Sequence, residues 1–463
     1  EPEKLFHFFE EISAIPRGSG NEKGISDYLV KFAKDRGLEV IQDDAYNVVI
    51  KKAGSRGAED HAPVMLQGHM DMVCEKRAGV EHDFEKDGLD LIIRDGRLTA
   101  NGTTLGGDNG VAVALMLMVL DDDEIEHPPV ECVFTTEEEV GLNGAKALDK
   151  SVLKARTMIN MDSEDEGVAT VSCAGGLRVQ FTKEIKRTTV QGSLLTLKVE
   201  GLLGGHSGQD IDKERQNADL LMARMIQRLL KETKGQLVSF NGGTKDNAIP
   251  RECEASLIYE SDEEAAKAEE LACELAETYA EELTPAEPDF SCEISCETNR
   301  TAEAIPQDAA KEFICAMRLA PNGIQKRNIK MDGFVVVSLN LGVVRTEEDR
   351  IVMIFSPRSS VASLQEDTKE RLNTLAETFG FTVSHSSEYP GWSFKEDSPV
   401  REICKESYKE LFGEDLKIEA IHAGLECGLF SDAIKGLDAI AIGPTIANCH
   451  TPDEYLTLDS FER

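Results

Sequence analysis

Five short stretches of this chain each place a side chain able to ligate a metal at the end of an apolar run: QGHMDMV (67–73), GGDNG (106–110), TTEEEVG (135–141), NMD (160–162) and NCHTPDE (448–454). His69, Asp108, Asp162 and His450, with a glutamate from the third stretch, offer imidazole nitrogens and carboxylate oxygens. That mixture suits zinc and related divalent ions, and one carboxylate, having two oxygens, can bridge a pair of them. The chemistry such a pair performs is hydrolysis. Ligands in open α/β sheets gather beyond the carboxyl ends of the strands, which is where these residues fall.

Local patterns sharpen the set. Asp71 follows His69 by two residues, so on a strand both face the same way and the carboxylate can orient the ring. The glycines around Asp108 let the backbone turn tightly into the helix that follows. A glycine-rich turn of this kind could instead cradle phosphate, but GGDNG lacks the P-loop lysine and puts an acid where an anion would sit. In TTEEEVG any of Glu137, Glu138 and Glu139 can serve, and the pattern alone does not choose.

The elements that must position these residues alternate at first. A helical start gives way to LEVI and NVVIKK, then APVMLQGH, the helix after GGDNG, VECVFTT, the short helix GAKALDK, and TMINMD. Alternation of this type predicts an α/β catalytic domain with helices on both faces of a mixed sheet. It resumes late, with a helix in SPVREICKESYKELFG and strands in LKIEAI and LDAIAIGP. Four of the ligand segments lie before residue 163 and the fifth waits until 450, so something large interrupts the domain. The interruption, at 175–388, reads as strands and helices in two sets, an α+β insertion of two similar halves. The catalytic domain is then 1–174 and 389–463.

Composition narrows the function. A chain of 463 residues exceeds one ordinary core, and 86 acidic against 50 basic residues give a formal charge of -36. Such a surface repels phosphate backbones and anionic lipid, so no nucleic-acid or membrane partner is expected. The eleven cysteines lack a CxxC pair and read as reduced thiols of a cytoplasmic protein. No signal peptide is visible in EPEKLFHFFEEISAIP, and the longest apolar run, VAVALMLMVL (111–120), is about half a membrane span. Cys292, Ile294 and Cys296 alternate like the inner face of a strand, and the charged helix at 263–283 reads as a solvated face.

The chain resembles the aminoacyl-histidine dipeptidases (Xaa-His dipeptidases, bacterial carnosinase-like) of the co-catalytic di-zinc exopeptidase superfamily. The likeness runs from FFEEISAIPRGSGNEKGISDYL through TTLGGDNG, LLGGHSGQDI, DNAIPRE, SPRSS and YPGW to HAGLECG and HTPDEYL. The HMD, GGDNG and EExG segments point to the superfamily, whereas GGHSGQDI, NAIPRE, YPGW and GLECG point to this family. The resemblance implies two divalent ions, zinc first with cobalt or manganese as alternatives: His69 and Asp162 on one, Glu139 and His450 on the other, Asp108 bridging. Alignment on Gly141 makes Glu138 the general base. A cis Asp108–Asn109 peptide is also implied.

The insertion is by the same resemblance a lid. His206 would steady the oxyanion, from its own chain or across a dimer, while Asn247 and Arg358 hold the substrate, a guanidinium fork suiting a terminal carboxylate. Gly424, Leu425 and Glu426 would line the pocket and receive the free amine. The implied activity is hydrolysis of Xaa-His and related dipeptides, carnosine as a candidate, by activated water and a glutamate base in a homodimer. Two rivals stand beside it: an N-acyl-amino-acid amidohydrolase, and an inactive metal-dependent binding protein, against which the presence of Asp71 and Glu138 speaks.

Overall fold

The protein is described by a computed structural model over residues 3–329 and 333–463. The chain divides into two compact units, Glu1–Cys173 with Gly391–Arg463, and Ala174–Pro390. Among the described residues of the first unit, eight strands form a mixed sheet. Its order is Glu39–Gln42, Val48–Lys52, Val130–Thr135, Val64–His69, Thr157–Asn160, Asp438–Ala441, Val168–Cys173 and Lys417–Ile421. The four middle strands from Val130–Thr135 to Asp438–Ala441 run parallel, so their carboxyl ends share one edge. VECVFT is buried at every position because both faces are covered. The helix Gly107–Asp121, apolar all round, lies in that covering layer, where Phe9, Ile12, Val113 and Leu117 share a core with Phe134 of the sheet. Gly68 admits it, since a Cβ there would lie 2.4 Å from Ala112 Cβ.

The hairpin Leu91–Arg94 with Arg97–Ala100 has no counterpart in the sequence reading; with Ile446–Ala447 and Tyr455–Thr457 it makes a small separate sheet. Pro399 at the first position and Ser398, whose Oγ accepts from Arg401 N, start the helix Pro399–Phe412, and Gly413 at φ 74° ends it.

Among its described residues the second unit carries a nine-stranded antiparallel sheet with a repeat in its topology. One half runs Thr188–Glu200, helix Ala218–Glu232, Gln236–Gly242, Cys253–Tyr259, helix Asp262–Leu283, Ser291–Ala304. The other runs Gly175–Glu184, helix Gln307–Leu319, Val335–Thr346, Arg350–Ser359, helix Ala362–Thr378, Thr382–Tyr389. Each is strand–helix–strand–strand–helix–strand, and each orders its strands fourth, first, third, second. The halves join where Gly242 pairs with Val344. The strand Gly175–Glu184 was missed in the sequence, and it belongs to the half whose remaining elements begin only at Gln307. Cys292, Ile294 and Cys296 pack against the core of this unit. The helix Ala218–Glu232 starts where Asn217 Oδ1 accepts from Asp219 N and Leu220 N.

Candidate metal centre

At the carboxyl edge of the parallel strands the first unit gathers all five candidate ligands into two trios that share one residue. His69 ends its strand, with Nε2 3.0 Å from Asp108 Oδ1 and 3.5 Å from Asp162 Oδ1. Asp162 stands two residues past Thr157–Asn160. On the other side His450 Nε2 lies 3.2 Å from Asp108 Oδ2 and 2.9 Å from Glu139 Oε1. Within each trio the ligand atoms are within 4.8 Å of one another. The two oxygens of Asp108 thus face two different histidines. This donor set fits a pair of divalent ions, because each trio supplies one nitrogen and two oxygens and leaves positions open. Crowding of acid points the same way: burial first, then neighbouring carboxylates, raise Glu138 and Asp162 above the ordinary range. A cation relieves such repulsion.

Asp71 does more than orient a ring. Its Oδ1 is 3.3 Å from His69 Nδ1 and accepts from Glu138 N at 3.1 Å, while Oδ2 accepts from Ser19 Oγ at 2.8 Å and Glu139 N at 3.3 Å. Burial alone would raise this carboxyl, but His69, Ser19 and the Glu138 N–H hold it below the usual range. The glutamate turn therefore wraps around the group that aligns His69. Within it the three glutamates diverge: Glu137, at φ 49°, has Oε2 accepting from Asn143 Nδ2 at 2.9 Å. Glu138 places a carboxylate oxygen within 4.8 Å of the ligand atoms of His69 and Glu139, and Glu139 meets His450. The Asp108–Asn109 peptide is cis, and Asn109 Nδ2 donates to Asp162 Oδ1 at 2.9 Å.

A polar ladder that the sequence did not announce lies behind the strand ends. Asn160 Oδ1 accepts from Asp162 N at 3.2 Å, and Asn160 Nδ2 donates to Gln67 Oε1 at 2.7 Å. Gln67 Nε2 donates in turn to Glu426 Oε2, which also accepts from Thr135 Oγ1. Glu426, expected to line the pocket and receive the amine, is wholly buried, with Oε2 held by the sheet and Oε1 without a hydrogen-bond partner; burial lifts its carboxyl to about 7. Gly424 is half-buried in the loop just before it. Arg17 and Glu454, quoted within motifs but given no role, are buried beside the Asp108 turn. Glu164 and Cys449 form a further group with Asp108.

In the second unit, Gly205–His206 pairs with Ala248–Ile249, and Asn247 O accepts from Ser207 N at 2.9 Å. His206 and Asn247 are thereby neighbours. His206 Nδ1 accepts the N–H groups of Gly208 and Gln209, so the neutral ring carries its proton on Nε2. Burial first, then the charge of Arg358, pushes this ring down to about 4. Arg358 donates from Nη1 to Tyr389 Oη of YPGW at 2.9 Å. The structure brings these three to one region of the second unit.

With that geometry in view, the relatives can be placed. A family model described as Peptidase family M20/M25/M40 matches residues 65–463. The chain is 36% identical over 465 residues to the cytosol non-specific dipeptidase of Escherichia coli (strain K12), covering 99% of this chain and 95% of that protein. The crystal structure of aminoacylhistidine dipeptidase from Vibrio alginolyticus matches with a TM-score of 0.92 and 36% identity, over 100% of this chain and 94% of that one. An aminopeptidase of Bacillus cereus, 17% identical, shares the fold with a TM-score of 0.56, over 100% of this chain and 95% of that one. The chain belongs to peptidase family M20/M25/M40.

Proposed function

We propose that this chain is a metallo-dipeptidase that removes the N-terminal residue from Xaa-His and related dipeptides, with carnosine a candidate substrate. The observation that carries the reading is the division of Asp108 between His69 and His450, in a peptidase-family chain whose full-length relatives are named as dipeptidases. His69 and Asp162 would hold one ion, Glu139 and His450 the other, and Asp108 both; zinc suits the donors best, with cobalt or manganese as alternatives. When bound, such ions supply Lewis acidity at the scissile carbonyl and acidify water.

The remaining work falls to side chains. Glu138 takes the proton of the attacking water and passes it to the leaving nitrogen, and its raised carboxyl suits a group that must hold that proton in between. Asp71 keeps His69 and the glutamate turn aligned. His206, neutral with Nε2–H as donor, is assigned to the developing oxyanion, and Arg358 with Asn247 to the substrate's carboxyl end. A cytoplasmic homodimer completes the proposal, and light scattering tests its mass.

A panel of free, N-acetylated and C-amidated dipeptides, with products identified by mass spectrometry, tests the reading. Free Xaa-His dipeptides should be turned over and blocked ones hardly at all. Equal or better cleavage of the acylated compounds would establish the amidohydrolase reading instead.

A further inference from the structure

Two charged side chains outside the ligand set grip the turn that carries Asp108. Glu454, 2% exposed, accepts from the backbone N–H groups of Leu105, Gly106, Gly107 and Asp108 at 2.8, 3.1, 2.8 and 3.4 Å. Four donors fill the acceptor sites of one carboxylate. Arg17, 1% exposed, donates to Gly106 O in the same turn, and to Met70 O and Asp71 O at 3.1 and 3.3 Å. The grip accounts for the glycines. A Cβ at Gly106 (φ 64°) would come within 2.6 Å of Arg17 Nη2, and one at Gly107 within 3.2 Å of Glu454 Oε1.

The two grips lead to different places. Glu454 sits on the loop of His450, closed by Glu454 N donating to Thr451 O at 3.1 Å, so a single carboxylate fastens that loop to the Asp108 turn. Arg17 fastens the same turn to the strand end of His69 and Asp71. We propose that Arg17 and Glu454 are positioning residues, a clamp that holds the two oxygens of Asp108 toward their respective histidines, with Glu454 governing the His450 side. The inference rests on the two-ion reading above and adds which residues make the bridge.

The test is calorimetric titration of metal-free protein with zinc, alongside melting of the metal-free form. Wild-type chain should take up two equivalents. Glu454→Gln turns one acceptor oxygen into a donor facing N–H groups; it should weaken the second binding step by at least about tenfold and leave the first within about threefold. Its kcat should fall with KM little changed and recover with excess zinc. Gly107→Ala, a milder disturbance that presses a methyl on Glu454 Oε1, should show the same selective loss if Glu454→Gln does not fold. Unaltered second-step affinity in the folded variants, with wild type still taking two ions, would overturn the clamp. Equal weakening of both steps would also overturn it, as a general effect on the fold. Fewer than two ions in the wild type would overturn the metal-centre reading instead.

Discussion

The two sides of the candidate metal centre are built differently. On one side His69 and Asp162 stand at or just past the ends of adjacent parallel strands, with side chains 1% and 11% exposed, backed by Asp71 and by the Asn160–Gln67–Glu426 ladder. On the other, Glu139 and His450 come from a turn and a loop, His450 sits at φ 63°, and its side chain is 49% exposed. A sheet end fixes its ligands through packing that the whole fold maintains. A turn and a loop fix theirs through individual hydrogen bonds, such as those by which Glu454 and Asp71 accept from backbone N–H groups. The first side should therefore bind its ion more tightly and the second should exchange it more readily, at the more open end.

The largest effect expected is on turnover. Glu138→Gln should keep both ions yet lower kcat on the order of 10²-fold or more, whereas Glu139→Gln should loosen the His450-side ion; reversal of these phenotypes in paired metal and rate measurements would shift the register of the triple glutamate by one. Next, His69→Ala and His450→Ala break the comparison directly. His450→Ala should leave one tightly held equivalent, while His69→Ala should leave at most one that is removed by a mild chelator, as elemental analysis after dialysis reports.

Arg358→Ala should lower kcat/KM for free Xaa-His dipeptides roughly tenfold to hundredfold, with much less change for C-terminal amides, since a charge-assisted contact is worth about 1.5 to 3 kcal/mol. Equal losses on both substrates would remove Arg358 from carboxylate recognition.

The second unit should respond to pH. Asp219 is fully buried against Gly242 and Cys253 at the seam between the halves, and burial raises its carboxyl to about 8. Raised above its unfolded value of about 3.9, it contributes stability below pH 4 that is lost as pH climbs toward 8, at up to about 1.4 kcal/mol per unit. Asp219→Asn should flatten this slope, so that wild type loses melting temperature relative to the variant between pH 5 and 8. Parallel curves would show that the site ionises without cost.

How far the sequence disclosed all this depended on what each residue works against. The candidate ligands could be picked out because each ends an apolar run, and the structure brings the five into two trios that share Asp108. The two similar halves of the insertion were expected, but their interleaving was not, because the strand Gly175–Glu184 is separated from its own half by the whole of the other. The sheet contacts of Glu426 Oε2 could not be read from the motif, because Gln67 and Thr135 lie far away in sequence. Arg17 and Glu454 act on backbone groups, which leave no side-chain pattern to pair with.

The most direct test of the account is the metal content of purified wild type and Asp108→Asn, measured by elemental analysis with activity on a free Xaa-His dipeptide. The account predicts close to two equivalents and turnover in the wild type, and no more than one equivalent with turnover lost when Asp108 can no longer present two charged oxygens. A wild-type stoichiometry of one that added zinc cannot raise, or two equivalents retained in Asp108→Asn, would contradict it.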